Sequence, residues 1–320
     1  MKNKSMWIAA VIMMPIVVLV CVLCIKEAKL MGDMNFVMFG QAKLRNTIEI
    51  PLSEANRIEI KYSSKNLKIY PAEGNSIIIK EYLLTDKEKA ECVIENQKAT
   101  VKGKNVFTFI FMGGGEKIEV YLPKEGIATL SLETASGNIT ADEAFSIQAE
   151  TVCVGASSGN IKWRNTQAEN VALAAASGNI HAWEISAGET AIATSSGNID
   201  AENISGAFTL AASSGNIQAL QMNGHGSANT SSGGIKVEMD EVTGDIKLKA
   251  NSGGVKLLLP KYLSFALEVK TGSGSIHTDY DEQLSYNKKG NQAKGVIGEV
   301  ADYTVSAEAG SGSVKIKKNS

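Results

Sequence analysis

The pentapeptide SSGNI occupies Ser195–Ile199 and recurs at Ser157–Ile161 and Ser213–Ile217. Related versions, including ASGNI, SSGGI and GSGSI, lie between and beyond these copies. A serine-glycine pair that returns at regular intervals could belong to a phosphate-binding loop, to a metal-binding loop or to the corner of a repeating β-structure. The residues around each copy distinguish these interpretations.

The flanking residues form columns when the copies are aligned on the serine. Ile or Val stands three residues after every serine, an apolar residue stands four before it, and only Ala or Thr stands two before it. Polar residues alternate with these positions, and a period of two is typical of β-strands. The corner residues of the repeat are Ser136, Gly137, Ser158, Gly159, Ser177, Gly178, Ser196, Gly197, Ser214, Gly215, Ser232, Gly233, Ser252 and Gly253, with further copies at Ser273 and Ser311.

Each unit of 18–22 residues therefore reads as a strand, a Ser-Gly corner, a second strand and a looser turn. Stacking equivalent strands in parallel aligns the columns into one core, which predicts a mainly β protein built as a right-handed parallel β-solenoid. Hairpins of a sandwich or a propeller would not keep one residue type at one place in every copy. The final step, from Ser273 to Ser311, is twice the usual one, so we expect that a copy near Gly290 has degenerated or is interrupted by the polar stretch TDYDEQLSYNKKGNQ.

The pattern weakens towards the N-terminus. The stretch RIEIKYSSKNLKIY, at residues 57–70, fits the columns but has Lys65 where the repeat has glycine. Residues 47–125 are therefore either degenerate coils or a separate N-terminal β-subdomain, ahead of the solenoid repeats of residues 126–317. The glycine run Gly113–Gly115 reads as the tip of a hairpin.

Residues 6–25 are twenty apolar residues without a charge, long enough for a transmembrane helix that crosses the bilayer once. A cleaved signal peptide is the alternative. The basic residues of the short segment 1–5 favour a cytoplasmic N-terminus. We therefore expect a single-pass protein of the cell membrane that contacts lipid through residues 6–25, with residues 26–46 as a linker and the rest extracytoplasmic.

The segment IEIPLSEANRIEIKYSSKNLKIY, the repeated Ser-Gly corners and the LPK that precedes two of them resemble a known bacterial group. This is the "putative adhesin" β-strand-repeat family, domain-of-unknown-function family 4097, which includes LiaG-like accessory proteins of cell-envelope stress operons. The resemblance covers roughly residues 47–317. It implies a membrane-attached, extracytoplasmic β-solenoid, and it implies no catalytic positions.

The sequence favours a structural interpretation of the corner over a chemical one. No helical period follows any Ser-Gly pair, as a phosphate loop would require, and the slot after the glycine holds Asn rather than the Asp of calcium-binding rolls. The asparagines at this slot predict a stacked amide ladder; they are Asn138, Asn160, Asn179, Asn198 and Asn216. We predict no catalytic residue, no metal site and no cofactor.

The other polar residues point the same way. His181 should lie beside Asp200 on the next coil, which could serve acid-base chemistry but is read as a solvated cross-strand pair. Acidic residues are spread over turns instead of meeting on one face, which argues against a polysaccharide-cleaving enzyme. A net charge of −2 and 6% aromatic residues argue against nucleic acid as a partner.

One outward face is unusually small and apolar, and we call it the small-residue face. It is predicted to contact a partner, a second copy of the chain or the underside of the N-terminal β-subdomain. Its residues are Cys153, Gly155, Ala172, Ala174, Ala191, Ala193, Thr209 and Ala211. The sequence thus predicts a non-enzymatic adhesin or envelope-binding scaffold whose partner is an envelope protein or glycan. An accessory of envelope-stress signalling and a polysaccharide-acting enzyme are the alternatives.

Overall fold

The structure, a computed structural model, describes residues 34–104 and 107–319. These residues form β-strands joined by turns, with two short 3-10 helices at Asp86–Glu88 and Asp281–Gln283. Within this described part, no helix is long and apolar enough to cross a membrane. The span predicted for residues 6–25 lies outside it.

The central coils stack in parallel, as the repeat predicts. Ile161 pairs with Ile180, and Ile180 pairs with Ile199, so each column of the sequence becomes a column of neighbours in the sheet. These inward residues are buried, and together they form one continuous core. The central strands are β10 (Thr129–Ser136), β11 (Ile139–Ala141), β12 (Ile147–Ser158), β13 (Ile161–Ser177), β14 (Ile180–Ser196), β15 (Ile199–Ser214), β16 (Ile217–Ser232), β17 (Ile235–Ser252) and β18 (Val255–Leu259).

The looser turn predicted for each unit is instead a third paired segment. Asn165, Glu184 and Asn203 have φ values of 50°, 58° and 54°, and they bend the chain four residues after the corner isoleucine. The ladder resumes directly after the bend, where Thr166 pairs with Ile185. Both of these side chains are buried. The core is therefore enclosed by three strand segments per coil, where the sequence pattern indicated two.

At the N-terminal end, residues 57–71 form a coil that pairs with β10 and β11. A further coil stacks outside it, and antiparallel strands cover the outer edge, which would otherwise expose unpaired backbone groups. The strands of this region are β1 (Met34–Gln41), β2 (Lys43–Pro51), β3 (Arg57–Tyr62), β4 (Asn66–Pro71), β5 (Ser76–Leu83), β6 (Glu91–Glu95), β7 (Lys98–Lys102), β8 (Phe107–Gly114) and β9 (Lys117–Leu122).

The glycine run Gly113–Gly115 is not the hairpin tip that the sequence suggested. Strand β8 does not pair with β9, which follows it; it pairs in parallel with β1, far back in the sequence. These two strands make a small sheet of their own, separate from the main sheet. The backbone N–H of Ala42 donates to the carbonyl of Gly114 at the end of this ribbon, with 3.2 Å between N and O.

At the C-terminal end, the long step from Ser273 to Ser311 is an interruption and not a degenerate coil near Gly290. The coil of Ser311 stacks directly on the coil of Ser252, and the coil of Ser273 stacks outside it. The residues between them form an antiparallel edge on the outermost coil. The strands are β19 (Phe265–Thr271), β20 (Ile276–Thr278), β21 (Ser285–Tyr286), β22 (Gln292–Ile297), β23 (Tyr303–Ala309) and β24 (Val314–Lys318). The last coil of the chain is thus inserted between two earlier ones.

Candidate functional site

The small-residue face forms two straight rows on the outside of strands β12–β15. Cys153, Ala172, Ala191 and Thr209 pair in register as one row, and Gly155, Ala174, Ala193 and Ala211 as the other. Their neighbours along each strand point inward and are buried, because successive residues of a strand alternate between its faces. The strands are about 4.8 Å apart, so the rows present small groups at a regular spacing.

A groove of about 980 Å³ lies over the second of these rows. It extends from the coil of Lys61 to the coil of Lys249, and Gly155, Ala174 and Ala193 are among its lining residues. All eight residues of the small-residue face are exposed or half-buried. The alternative that the N-terminal β-subdomain covers this face is therefore wrong for the described residues, and the face is open to a partner.

Charged clusters mark both ends of the groove. At the N-terminal end, Lys61 Nζ lies 3.3 Å from a Glu133 carboxylate oxygen and 2.7 Å from one of Glu59. Hydrogen bonds from Lys61 and Lys98 lower the pKa of Glu59 to about 2, against the smaller opposing effect of burial. The Glu59 carboxylate therefore stays ionised at neutral pH.

At the C-terminal end, Glu308 bridges Lys249 and Lys270, with 3.4 Å to each ammonium nitrogen. Burial opposes ionisation of Glu308, but the two lysines outweigh it and lower its pKa. The groove is thus lined along its length by small residues, alanines with serines and threonines among them, and carries charged groups at its two ends.

Cys153 belongs to the small-residue face and is a free thiol, as is Cys92. Burial, helped by the nearby Glu133 carboxylate, raises the pKa of the Cys153 thiol. Burial also raises the pKa of Cys92. A raised pKa keeps a thiol protonated and poorly nucleophilic, so the arrangement gives neither cysteine an activated character.

The Ser-Gly corners lie one above another and join adjacent coils. The N–H of Gly178 donates to the carbonyl of Ser196 at 3.0 Å, and this pattern repeats from coil to coil. A Cβ added at Gly197 would lie only 2.1 Å from the carbonyl oxygen of Gly178. Glycine is therefore required here by the close approach of two backbones, and these corner amides are engaged between coils instead of being presented to a ligand.

The asparagine slot forms a ladder along the same edge. Each side-chain Oδ1 accepts a hydrogen bond from the backbone N–H of the asparagine on the next coil, for example from Asn198 N–H to Asn179 Oδ1 at 2.8 Å. The ladder begins at Asn66 and ends where Gly234 N–H donates to Asn216 Oδ1, also at 2.8 Å. These amide oxygens are occupied and structural.

The predicted pair of His181 and Asp200 is present, with 3.2 Å between Nδ1 and a carboxylate oxygen. Both side chains are about 40% exposed, so the pair lies in solvent on the outer surface. Other acidic residues act on the backbone: Asp245 accepts from Thr304 N–H, and Asp279 accepts from Lys318 N–H. Among the described residues, no group of His, Cys, Asp and Glu is placed to hold a metal ion.

One polar cluster was missed by the sequence analysis. Lys65, the residue that replaces the corner glycine, places its Nζ 2.8 Å from Glu88 and 2.5 Å from Glu116. Burial and the neighbouring Glu88 raise the pKa of Glu116, against the opposing effect of Lys65. The signal for this cluster in the sequence was the replacement of the corner glycine by Lys65. The cluster fastens the N-terminal strands onto the first coil.

A second buried carboxylate lies in the same region. Glu81 is fully buried and accepts hydrogen bonds from the Tyr62 hydroxyl at 2.8 Å, from Asn46 Nδ2 at 2.6 Å and from Ala90 N–H at 3.1 Å. Burial and the adjacent Glu81 raise the pKa of Tyr62, so it remains a hydroxyl donor. Because these three donors occupy its oxygens, the Glu81 carboxylate has a structural role.

Several solved structures of bacterial proteins are similar to this chain. The solved structure of a "putative lipid binding protein" from Parabacteroides distasonis ATCC 8503 is 15% identical, with a TM-score of 0.49, and the match covers 87% of this chain and 99% of that chain. The structure of a "putative adhesin" from Bacteroides fragilis NCTC 9343 is 12% identical, with a TM-score of 0.44, over 88% of this chain and 100% of that chain. No curated protein matches the chain.

The family model described as Toastrack DUF4097 matches residues 55–317. This range includes the coil of Lys65, every Ser-Gly corner and the inserted last coil. It also agrees with the resemblance drawn from the corner repeats and the IEIPLSEANRIEIKYSSKNLKIY segment. Because the match covers most of the sequence, the chain belongs to the Toastrack DUF4097 family.

Proposed function

We propose that this protein is a non-enzymatic, membrane-anchored binding or scaffold protein of the cell envelope, and that the small-residue face is its contact surface. Residues 6–25 would hold it in the membrane, with the solenoid on the extracytoplasmic side. The observation that carries the proposal is the open groove over the row that contains Ala174 and Ala193. No cofactor is required.

The physical basis of recognition would be a rigid, closely approachable surface. Alanine, glycine, serine and threonine have few or no rotamers to immobilise, so binding on this face loses little side-chain entropy. The underlying backbone is held by ladder hydrogen bonds on both sides, as at Ala174, whose row is continuous from Gly155 to Ala211. A partner would gain apolar contact along the floor and orientation from the charges at the two ends.

The ligand class that fits is an extended chain of an envelope protein or glycan lying across the coils. Such a chain could meet several rows at once, since equivalent positions recur about every 4.8 Å. A second copy of this protein is the other occupant that the same surface would accept. The mass and composition of a crosslinked adduct would distinguish these occupants.

A photo-reactive residue at Ala193 in intact cells should form a specific adduct, whose mass and composition identify the partner. A photo-reactive residue at Ser186, exposed on another segment of the same coil, is the matched control and should not form it. The double variant Ala172→Glu, Ala193→Glu should abolish capture by a second reporter at Ala211, while its circular dichroism stays unchanged.

Gln167→Glu with Ser186→Glu places the same charges on adjacent coils away from the face and should leave capture intact. Equal yields of adduct from Ala193 and Ser186 would refute the proposal that the small-residue face is the contact surface. So would capture that survives the Ala172→Glu, Ala193→Glu change. Solubility of the full chain without detergent would separately refute the anchor.

A further inference from the structure

Three lysines form a straight row on the outside of the C-terminal coils, here called the lysine row: Lys236, Lys256 and Lys315. Lys236 pairs in register with Lys256, and Lys256 pairs in register with Lys315, on strands β17, β18 and β24. Their neighbours along each strand, such as Val237 and Leu257, are buried, so the lysines face outward. Neighbouring strands lie about 4.8 Å apart, so three positively charged side chains follow one another at that interval.

The inserted last coil completes this row. Lys315 follows Lys256 because the coil of Ser311 stacks directly on the coil of Ser252. Had the coils stacked in chain order, His277 would lie beside Lys256; instead it pairs with Lys315 from the outside. The row is therefore a product of the tertiary arrangement.

The lysine row lacks a partner of opposite charge. Lys249 and Lys270 both pair with Glu308, whereas the three lysines of the row form no ion pair with any residue that the structure describes. Glu238 faces outward on the same strand as Lys236, about 6.6 Å further along it, and does not pair with it. Like charges directly opposite each other destabilise a sheet, so a bound anion would remove a repulsion that is present in the free protein.

The residue type indicates the chemistry of that anion. Lysine presents a compact charge with three donors on a flexible stem, which suits phosphate, whereas the planar fork of arginine suits bidentate pairing with carboxylate. The row contains no arginine; the arginines of the chain are Arg45, Arg57 and Arg164. Because lysine stems are flexible, the three ammonium groups can adapt to a phosphate spacing that differs from the strand spacing.

The width of the row indicates the shape of the ligand. The adjoining outward row holds Glu238 beside Leu258, and the exposed Asp240 and Glu241 follow on the same coil. A flat anionic membrane surface would approach these carboxylates as well as the lysines, and the repulsion would oppose binding. A single chain that follows the row avoids most of this repulsion.

We propose that the lysine row binds a linear phosphodiester polymer, which lies along the solenoid axis with one phosphate near each lysine. This inference goes beyond the proposed function. The row lies on the strand segment after the Ser-Gly corner, whereas the small-residue face lies on the segment before it. The two surfaces can therefore be occupied at the same time.

The salt dependence of binding gives the expected size of the effect. A flexible phosphate chain contributes about −0.7 per contact to the slope of log affinity against log salt concentration, so three contacts give about −2. Between about 50 and 200 mM salt, the affinity should fall about 20-fold.

The test uses the full chain in an uncharged detergent, with fluorescently labelled poly(glycerol phosphate) as the probe and fluorescence anisotropy as the measurement. The variant Lys236→Gln, Lys256→Gln, Lys315→Gln should keep its circular dichroism, bind more than about tenfold more weakly at about 50 mM salt and lose most of the salt dependence. The single change Lys256→Gln should reduce the slope from about −2 to about −1.4.

The matched control is Lys162→Gln, Lys288→Gln, Lys289→Gln, which removes three exposed lysines outside the row. It should bind the polymer like the wild type. An equal loss in the control would overturn the proposal, because the overall charge and not the row would then attract the polymer. Wild-type affinity in the variant that lacks the three row lysines would overturn it directly.

Competition tests the ligand class. Unlabelled polyglutamate that displaces the probe as well as unlabelled poly(glycerol phosphate) does, at equal charge, would overturn the preference for phosphate. Phosphatidylglycerol added to the micelles that displaces the probe equally well, at equal phosphate concentration, would overturn the polymer in favour of a lipid surface.

The proposed function and this inference fail separately. The variant Ala172→Glu, Ala193→Glu should lose the partner of the small-residue face and still bind poly(glycerol phosphate). The variant without the three row lysines should still form the adduct from Ala193. Loss of polymer binding in the Ala172→Glu, Ala193→Glu variant would overturn the lysine row as the polymer site, whereas a missing adduct from Ala193 in the wild type contradicts the proposed function alone.

Discussion

The corner glycines offer the most direct test of the architecture, because one added methyl group should separate two coils. In Gly197→Ala the new Cβ would lie 2.1 Å from the carbonyl oxygen of Gly178 and 2.6 Å from its carbon. Ordinary van der Waals contact begins near 3.4 Å. The two coils must therefore move apart by roughly 1.3 Å, the difference between 3.4 and 2.1 Å, and backbone cannot rotate away as a side chain can.

The magnitude follows from the bonds that this movement breaks. Gly178 N–H donates to Ser196 O at 3.0 Å, and Asn198 N–H donates to Asn179 Oδ1 at 2.8 Å. Both distances would exceed hydrogen-bonding range. Two lost bonds at about 1 kcal/mol each and an overpacking strain of about 1–3 kcal/mol give a destabilisation of about 3–5 kcal/mol. That is a large part of the stability of a typical domain.

Urea unfolding followed by far-ultraviolet circular dichroism measures this change. The matched control is Gly155→Ala, where the same methyl group would meet Glu133 Cγ at 3.7 Å, an ordinary contact. We expect the control to unfold at the wild-type midpoint and Gly197→Ala at a much lower urea concentration. If Gly197→Ala unfolds within about 1 kcal/mol of wild type, the close approach of coils at the corner is refuted.

Four further perturbations test other parts of the structure. Gly234→Asn should extend the amide ladder to Gly254 and stabilise the protein by about 0.5–1 kcal/mol, because it adds one hydrogen bond. The new Cβ would meet only ordinary contacts at 3.5 Å or more. An unchanged melting temperature would contradict a stabilising role of the ladder. Glu59→Gln should reduce the loss of stability on acidification. The pKa of the Glu59 carboxyl falls from 4.5 to about 2 on folding, so this group contributes stability above pH 4.5 that is lost as the pH falls towards 2. The unfolding free energies of wild type and variant should therefore converge as the pH approaches 2. Lys65→Met removes the cation from the buried Glu88 and the half-buried Glu116 and should destabilise the protein by about 3–5 kcal/mol, with partial rescue at low pH. A loss below about 1 kcal/mol in urea unfolding would contradict the fastening role of the Lys65 cluster. Deletion of residues 303–318 should expose the ladder edges of two coils and cause aggregation on size-exclusion chromatography, whereas a soluble monomer would contradict the inserted position of the last coil.

Much of the candidate site could be predicted from sequence because it depends on alternation alone. Once the repeat defines which residues face inward, the residues between them, such as Ala174 and Ala193, must face outward and lie in rows. The groove over these rows and the ion pairs at its ends could not be predicted. Lys61 meets Glu133 across more than seventy positions of the chain, and no local pattern links them.

The bends of the central coils could not be predicted from the sequence either. Asn165, Glu184 and Asn203 adopt positive φ at equivalent places; asparagine tolerates this conformation, but Glu184 gives no such signal. Their conformation follows from the paired coils on either side, which fix where the chain must change direction. Lys65 is similar: its break in the glycine column is visible, but its partners Glu88 and Glu116 lie 23 and 51 residues away.

The sequence by itself determined the repeating coil, its strand segments around the Ser-Gly corner and the identity of its core columns, because the side-chain period and the corner glycines are local properties repeated in every unit. Only the tertiary structure decided which coil lies next to which at the two ends. The columns are equivalent in all coils, so Leu248 could pack against Val269 as readily as against Ala307. The sequence pattern therefore favours neither order of the last coils. Their order is set by long-range strand pairing, which inserts the last coil between two earlier ones.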